Sequence, residues 1–188
     1  MPRMPLIVSF YTRKTPYERE IERLIQSCQR FDMEWYVEGR EPQGSWHLNC
    51  CLKGPFVLEC LHRFQRPVLW LDADAEVVSF PQWFAGAEFD FGVYVGRQLN
   101  SGTAYFAYSQ PSLTLVERWA ALCQRRTRTL DQTLLHQAYR RTRRPLNTCW
   151  LPQSYCKVFD APWQEPAQVP VILHHQASRR FRQTVTLA

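Results

Sequence analysis

Apolar residues along this chain occur in two patterns that alternate. Short continuous runs, rich in β-branched and aromatic residues, occupy residues 6–11 and 33–37, and apolar residues recur at helical spacing over residues 17–30 between them. Runs of the first kind are typical of buried strands, and the second pattern is typical of amphipathic helices. A strand, a helix and a strand in this order predict a βαβ unit with a right-handed parallel crossover.

Strands and helices continue to alternate along the rest of the chain. The pattern predicts helices over 49–64, 111–125 and 130–139, a short helical turn over 80–84, and strands from residue 68 and over 91–95, 148–151, 155–159 and 169–173. Residues 99–107 are predicted to be a loop that runs into a strand. The expected fold class is therefore α/β, with a mostly parallel sheet and helices on both faces. The chain has 188 residues and no internal repeat or long linker, so we expect one domain, residues 1–188.

Composition narrows the class of protein. The chain is 45% hydrophobic, enough for a substantial core, but no apolar stretch approaches the roughly 20 residues of a membrane span. The N-terminus enters a strand pattern without the apolar region of a signal peptide, so we expect a cytoplasmic protein.

Seven cysteines without a Cys-x-x-Cys pair predict no disulfides. One group leaves a zinc site open, although most of it lies in a predicted helix: His47, Cys50, Cys51, Cys60 and His62.

Positive charge is concentrated in one region. The net charge is +6, and residues 125–144 hold seven arginines against the single acid Asp131. Arginine suits planar, bidentate contacts to phosphate. This region therefore predicts a polyanionic partner such as a nucleic acid, with a solvated basic face as the alternative. The arginines are Arg125, Arg126, Arg128, Arg140, Arg141, Arg143 and Arg144.

The third predicted strand leads into two carboxylates, Asp72 and Asp74, with Ala73 between them. Open α/β sheets bind their ligands at the carboxyl edge of the strands. Two negative charges this close repel each other unless a cation lies between them. Mg²⁺ or Mn²⁺ is the natural candidate for such oxygen ligands. A plain acidic turn is the alternative, because Asp is common in turns.

Three enzyme classes share a strand followed by Asp-x-Asp. A phosphatase of the haloacid dehalogenase type has Thr or Val two positions after the second Asp, where this chain has Glu76. A nucleotidyltransferase of the polymerase-β type has Gly-Ser shortly upstream, and Gly44-Ser45 lies much earlier. A nucleotide-sugar glycosyltransferase has an apolar continuation, which is present here. The pattern favours this third class.

Four features occur in order: Asp72-x-Asp74, Asn100-Ser101-Gly102, Asp131-Gln132, and a late predicted strand ending in His174-His175. Together they resemble the GT-A glycosyltransferases, and among these the retaining family 8 enzymes and the short nucleotide-diphospho-sugar transferase domains. The resemblance covers roughly residues 6–182. It implies a GT-A domain that uses a nucleotide diphosphate sugar, which we expect to be a UDP-sugar. It also implies Mn²⁺ or Mg²⁺ as cofactor and retention of configuration at the sugar.

The resemblance also implies roles for individual residues. Asp72, Asp74 and His174 would hold the metal ion, with His175 as the alternative to His174. The catalytic residues would be Asp131, Gln132 and Asn100, beside the reacting sugar. The donor would be bound by Phe10, Tyr11, Thr12, Arg13, Lys53, Asp72, Ala73, Ser101, Gly102, Arg179 and Arg180. One departure concerns the phosphate site: the family's late His-x-x-Gly-x-x-Lys is here His-His-Gln-Ala-Ser-Arg-Arg over residues 174–180.

The acceptor is the open question at this stage. The arginine-rich region suggests nucleic acid, for instance a hydroxylated base in DNA, which an enzyme would have to take out of the base stack. Small-molecule, lipid-linked and protein acceptors remain alternatives. Outside the glycosyltransferases, the alternatives are a nucleotidyltransferase and a non-catalytic nucleic-acid-binding domain.

Overall fold

The computed structural model describes residues 4–125, 128–142, 144–159, 164, 168–179 and 181. Its strands are β1 (Leu6–Thr12), β2 (Trp35–Arg40), β3 (Val68–Leu71), β4 (Ala75–Val77), β5 (Phe91–Val95), β6 (Leu99–Phe106), β7 (Thr148–Trp150), β8 (Lys157–Val158) and β9 (Ile172–His174). Its helices are α1 (Tyr17–Arg30), α2 (Trp46–Cys50), α3 (Lys53–Phe64), α4 (Gln110–Gln124) and α5 (Asp131–Thr142), with 3₁₀ turns at Gln82–Phe84 and Gln153–Cys156.

The central sheet has six strands in the order β2-β1-β3-β6-β5-β7. The pairs β1/β2, β1/β3 and β5/β7 are parallel, and β6 runs antiparallel to both β3 and β5. The prediction of a mostly parallel sheet is confirmed. Because β6 is reversed, its first residues lie at the same edge of the sheet as the carboxyl ends of β1 and β3.

Helices cover both faces of this sheet, as predicted. Ile7 and Leu69, on one face, are fully buried in a cluster with Ile21 and Leu24 of α1. Val8 and Trp70 belong to the cluster on the other face, with residues of α3, α4 and α5. Consecutive strand residues point to opposite faces, so β1 and β3 must be apolar at every position to fill both cores.

A second sheet of three short strands, in the order β4-β9-β8, was not predicted. β4 pairs antiparallel with β9, and this register places Ala75 opposite His174. The backbone N–H of His175 also donates to the carbonyl oxygen of Asp74, at 3.0 Å. The small sheet therefore joins the late part of the chain to the residues that directly follow β3.

Some predicted boundaries were wrong. β2 covers Trp35–Arg40 rather than residues 33–37, and residues 99–101 are already strand rather than loop. The helix predicted over 49–64 is two helices, α2 and α3.

The Ser45 side chain accepts a hydrogen bond from the Leu48 N–H and so caps α2. In α3, a Cβ on Gly54 would lie 3.1 Å from backbone atoms of Ala120, so glycine permits α3 and α4 to pack closely.

Two further expectations concern membranes and cysteines. Within the described ranges, no helix is long and apolar enough to cross a membrane. All seven cysteines are described, and all of them are free. The sequence left a zinc site open at His47, Cys50, Cys51, Cys60 and His62. Among the described residues these side chains do not form a candidate metal site; the candidate site consists of Asp72, Asp74 and His174.

Candidate active site

A cavity of about 250 Å³ lies at the edge of the sheet where β1 and β3 end. Thirteen of the residues predicted for the site line it: Phe10, Tyr11, Thr12, Lys53, Asp72, Ala73, Asp74, Asn100, Ser101, Gly102, Asp131, Gln132 and His174. These residues come from β1, α3, the turn after β3, β6, α5 and β9. The structure thus brings together residues that are up to 164 positions apart in the sequence.

Three of the predicted residues that the structure describes are not part of this lining. Arg13 is exposed and bonds instead to the carbonyl oxygen of Gly39, at 3.0 Å. Arg179 is exposed at the end of the chain segment after β9. The Nε2 atom of His175 lies 2.9 Å from a carboxylate oxygen of Glu76, outside the cavity. Arg180 lies outside the described residues.

Asp72, Asp74 and His174 form a group that can hold a metal ion. One ligand atom from each residue lies within 4.8 Å of the others. His174 and Asp74 are 3% and 8% exposed, so two of the three groups are almost completely removed from water. The pairing of β4 with β9 places His174 opposite Ala75, beside the two carboxylates, whereas His175 follows the strand and its ring contacts Glu76 instead.

Each of these three side chains is oriented by a hydrogen bond at one of its two polar atoms. Asp72 Oδ1 accepts from Trp70 Nε1 at 3.0 Å, and Asp74 Oδ2 accepts from the N–H of Ala177 at 2.8 Å. His174 Nε2 lies 2.9 Å from the hydroxyl of Thr103. The other atoms, Oδ2 of Asp72, Oδ1 of Asp74 and Nδ1 of His174, remain to coordinate a cation. Such outer contacts fix ligands in metal sites.

Burial and charge set the protonation of this group. Burial raises the pKa of Asp74, and the neighbouring charge of Asp72 raises it further. Burial lowers the pKa of His174, which keeps its imidazole neutral, the form that binds metals. A divalent cation would reverse the effect on Asp74, because a nearby positive charge stabilises the carboxylate.

Lys53, at the start of α3, contributes a positive charge to this cavity wall. Its Nζ atom lies 2.8 Å from Asp72 Oδ1 and 3.1 Å from Asp131 Oδ2. Burial lowers the pKa of Lys53, but the carboxylates of Asp131 and Asp72 outweigh it and hold this pKa well above the ordinary value. The hydroxyl of Ser101 donates to Asp131 Oδ2 at 2.7 Å. Lys53, Ser101 and the two carboxylates therefore form one buried polar network.

No protein-family model and no curated protein matches the chain. Solved structures do match, and one of them is a glycosyltransferase involved in the glycosylation of the major capsid of PBCV-1. It superposes with a TM-score of 0.74 at 17% identity, over 99% of this chain and 100% of its own. The fold is that of the GT-A glycosyltransferases.

Two other glycosyltransferases with the GT-A fold are similar at comparable distance. GlyE of Streptococcus pneumoniae has a TM-score of 0.61 at 17% identity, over 91% of this chain and 54% of its own. The galactosyltransferase LgtC, a family 8 enzyme, has a TM-score of 0.56 at 11% identity, over 97% of this chain and 95% of its own. The predicted GT-A fold is thereby confirmed.

The position of Gly102 in the cavity wall has no room for a side chain, for a reason that the sequence did not reveal. A Cβ at this position would lie 2.9 Å from Cε1 of His174 and 3.0 Å from Oδ1 of Asn100. The backbone of Gly102 also donates to that Asn100 oxygen, at 2.8 Å, and accepts from the N–H of Asp72, at 2.9 Å. The missing side chain makes room for the histidine ring beside the carboxylates.

Sequence reasoning missed one wall of the cavity. Tyr17 of α1 and three residues of α2, Trp46, Asn49 and Cys50, line it. Burial raises the pKa of Tyr17, and the neighbouring Trp46 side chain opposes this only in part. The sequence did contain a signal for this wall. Asn49, Cys50 and Lys53 follow Trp46 by three, four and seven positions, the spacing of residues on one face of a helix.

The arginine-rich region is divided by α5. Arg125, which follows α4, and Arg128 are exposed, and both precede Asp131 in the sequence. Arg140 and Arg141 lie in the last turn of α5, about 13 Å farther along its axis, and Arg144 follows them. Arg126 and Arg143 lie outside the described residues.

Proposed function

We propose that residues 1–188 form a single metal-dependent glycosyltransferase domain. It would move a sugar from a nucleotide diphosphate sugar, a UDP-sugar in our proposal, to a hydroxyl acceptor with retention of configuration. The observation that carries this proposal is the group of Asp72, Asp74 and His174 inside the cavity, at the ligand-binding edge of a GT-A sheet. The similarity to glycosyltransferases supports the choice of reaction class.

The three candidate ligands fit a divalent metal ion. Two carboxylate oxygens suit Mg²⁺ or Mn²⁺, and the additional imidazole nitrogen favours the softer Mn²⁺. When bound, the ion would neutralise charge on the departing diphosphate as a Lewis acid. The task of the protein is to hold three ligand atoms in place before the ion arrives, and the bonds from Trp70, Ala177 and Thr103 do this.

The rest of the cavity offers sites for the two ends of the donor. Phe10, Tyr11 and Thr12 at the end of β1 would bind the nucleoside, as the resemblance implies. Asp131 and Gln132 would face the sugar from the start of α5. One oxygen of Asp131 is occupied by Lys53 and Ser101, which leaves the other to accept a hydrogen bond from a sugar hydroxyl.

The ion pair between Asp131 and Lys53 is relevant to whether the configuration at the sugar is retained. In the proposed reaction Asp131 stays in its ion pair with Lys53, at 3.1 Å, and orients the sugar rather than attacking it. Retention would then arise by attack of the acceptor hydroxyl on the same face from which the diphosphate leaves. Asn100, whose side-chain oxygen is held by the Gly102 N–H, would position the sugar beside it.

A binding screen followed by product analysis tests this proposal. We expect a UDP-sugar with Mn²⁺ to raise the melting temperature of the protein, because ligands that bind the folded state stabilise it. We expect slow donor hydrolysis to release a nucleoside diphosphate. Release of pyrophosphate would instead indicate a nucleotidyltransferase. No binding and no turnover with any nucleotide sugar would leave the non-catalytic nucleic-acid-binding alternative.

For the acceptor we propose nucleic acid, with a hydroxylated DNA base as the first candidate. The argument is the exposure of Arg125 and Arg128, which precede Asp131 of the cavity by six and three positions in the sequence, together with exposed Arg140 and Arg141 in the last turn of α5 and Arg144 after it. Exposed arginines of this kind guide polyanions. A protein acceptor is the second candidate, since one similar structure is an enzyme involved in glycosylating a capsid protein.

Replacing arginines tests the nucleic-acid acceptor. We expect the triple variant with Arg140, Arg141 and Arg144 changed to Gln to bind DNA more weakly. We also expect the slope of log affinity against log salt to become shallower by about one for each phosphate group that the variant no longer binds. The affinity for the nucleotide sugar should stay within about twofold, because Arg140 and Arg141 lie about 13 Å or more from Asp131 along the axis of α5 and Arg144 follows that helix.

A matched control removes the same charge elsewhere. Arg19, Arg23 and Arg30 lie on α1, on the opposite face of the sheet. Their replacement by Gln should change DNA affinity much less than the α5 variant does. Equal losses in both variants would indicate a general charge effect rather than an acceptor surface. If the parent protein does not bind DNA near physiological salt, the acceptor is not a nucleic acid.

A further inference from the structure

Lys53 occupies an unusual position between two carboxylates with different proposed tasks. Its ammonium group lies 2.8 Å from Asp72 Oδ1, on the metal side, and 3.1 Å from Asp131 Oδ2, on the sugar side. The residue is only 8% exposed, so water cannot replace either contact easily. A buried charge of this kind holds its partners firmly, because either carboxylate would otherwise be left uncompensated.

The contacts of Lys53 limit how Asp72 can turn. Trp70 and Lys53 both bind Oδ1 of Asp72, at 3.0 Å and 2.8 Å. Only Oδ2 remains for a metal ion. The ammonium group and the ion would thus lie on opposite sides of one carboxylate, where two positive charges repel each other in a medium of low dielectric constant.

Lys53 also connects the two halves of the cavity. Ser101 donates to the same oxygen of Asp131 that Lys53 contacts, and Lys53 itself donates to Ser101 at 3.5 Å. Ser101 is next to Gly102, whose carbonyl oxygen accepts from the N–H of Asp72. A shift of either carboxylate would therefore be transmitted to the other through two routes, the ammonium group and the strand.

We propose that Lys53 is a positioning residue that keeps the affinity for free metal ions low and makes tight metal binding depend on the donor diphosphate. The inference rests on the proposed metal site. Without the donor, the ion meets the repulsion of the nearby ammonium group. The negative charge of the diphosphate compensates both cations, so the donor and the ion stabilise each other's binding.

Two simpler roles for Lys53 make different predictions. A lysine that only contacts the donor would change the affinity for the nucleotide sugar and leave the affinity for free Mn²⁺ unchanged. A lysine that only stabilises the fold would lower the melting temperature without tightening Mn²⁺ binding. The affinity for Mn²⁺ in the absence of donor therefore separates all three roles.

The experiment measures Mn²⁺ binding to the full chain by electron paramagnetic resonance of the free ion, with and without a nucleoside diphosphate. We expect Lys53→Met to bind Mn²⁺ at least about fivefold more tightly than the parent without the nucleotide, because a nearby positive charge is removed. We expect the nucleotide to enhance Mn²⁺ binding less in the variant than in the parent. Lys14→Asn is the control: it removes one exposed charge at a positive φ of 57°, which Asn tolerates.

A second comparison is needed because Lys53→Met leaves Asp131 buried without its cation. Asp131→Asn removes that difficulty, so Lys53→Met in the Asp131→Asn background should again tighten Mn²⁺ binding at least about fivefold relative to Asp131→Asn alone. Unchanged or weaker Mn²⁺ binding in both comparisons would overturn the role of Lys53 while leaving the proposed function intact. If the parent protein does not bind Mn²⁺ with or without the nucleotide, both the metal site and this inference are wrong.

Discussion

Asp74→Asn is expected to abolish sugar transfer while the protein remains folded. The carboxylate of Asp74 has two tasks, because Oδ2 accepts from the Ala177 N–H and Oδ1 faces His174 and the proposed metal ion. An amide has only one acceptor oxygen, so it would present its NH₂ group either to the backbone donor or to the cation. Removing a metal ligand worth several kcal/mol lowers the rate by about a thousandfold or more.

The measurement is initial velocity with a UDP-sugar at saturating Mn²⁺, together with a thermal melt of the variant. Asp32→Asn is a suitable control. Asp32 is exposed, and its positive φ of 50° is one that Asn adopts readily. The control should keep the activity of the parent. Metal-dependent turnover of Asp74→Asn within a few-fold of the parent would exclude Asp74 as a ligand.

His174→Ala should weaken Mn²⁺ binding by about 10- to 100-fold, whereas His175→Ala should change it by less than about twofold. The reason is geometric. His174 Nε2 is bound to Thr103, which leaves Nδ1 to face Asp74, at 4.0 Å from Oδ1. His175 instead pairs with Glu76 at 2.9 Å, on the other side of the small sheet.

The two histidine variants are compared by titrating Mn²⁺ into EDTA-treated protein and following both binding and turnover. EDTA should stop the reaction, and Mn²⁺ should restore it in the parent and in His175→Ala. In His174→Ala the restoration should require a higher Mn²⁺ concentration. Greater damage in His175→Ala would mean that the strand-end position of His174 was wrongly interpreted.

The sequence was informative where a local pattern reflects burial. β1 and β3 are apolar at consecutive positions because both of their faces are covered, and this pattern was enough to place Asp72 and Asp74 at a sheet edge. The expectation that His174 joins them rested on resemblance. The structure supplies the physical reason, which is the register that sets Ala75 opposite His174.

Other parts of the site had no local signal. β8 and β9 have two and three residues, too few for a hydrophobic period to be visible. The sequence indicated that Lys53 is a basic residue near the donor, but its two carboxylate partners lie 19 and 78 positions away in the chain. Only tertiary packing determines such contacts. For the same reason the exposure of Arg13 and Arg179 was not foreseen.

The pairing between β4 and β9 also dictates when the site can exist during synthesis. The bond from Ala177 to Asp74 spans 103 residues, among the most non-local contacts of the molecule. At about 5–20 residues per second, a ribosome adds that much chain in about 5–20 s. During this interval the two carboxylates of a nascent chain have no histidine beside them. A chain that ends before residue 174 would therefore hold Asp72 and Asp74 without the third candidate ligand, so the candidate cation site can be completed only late in the synthesis of residues 1–188.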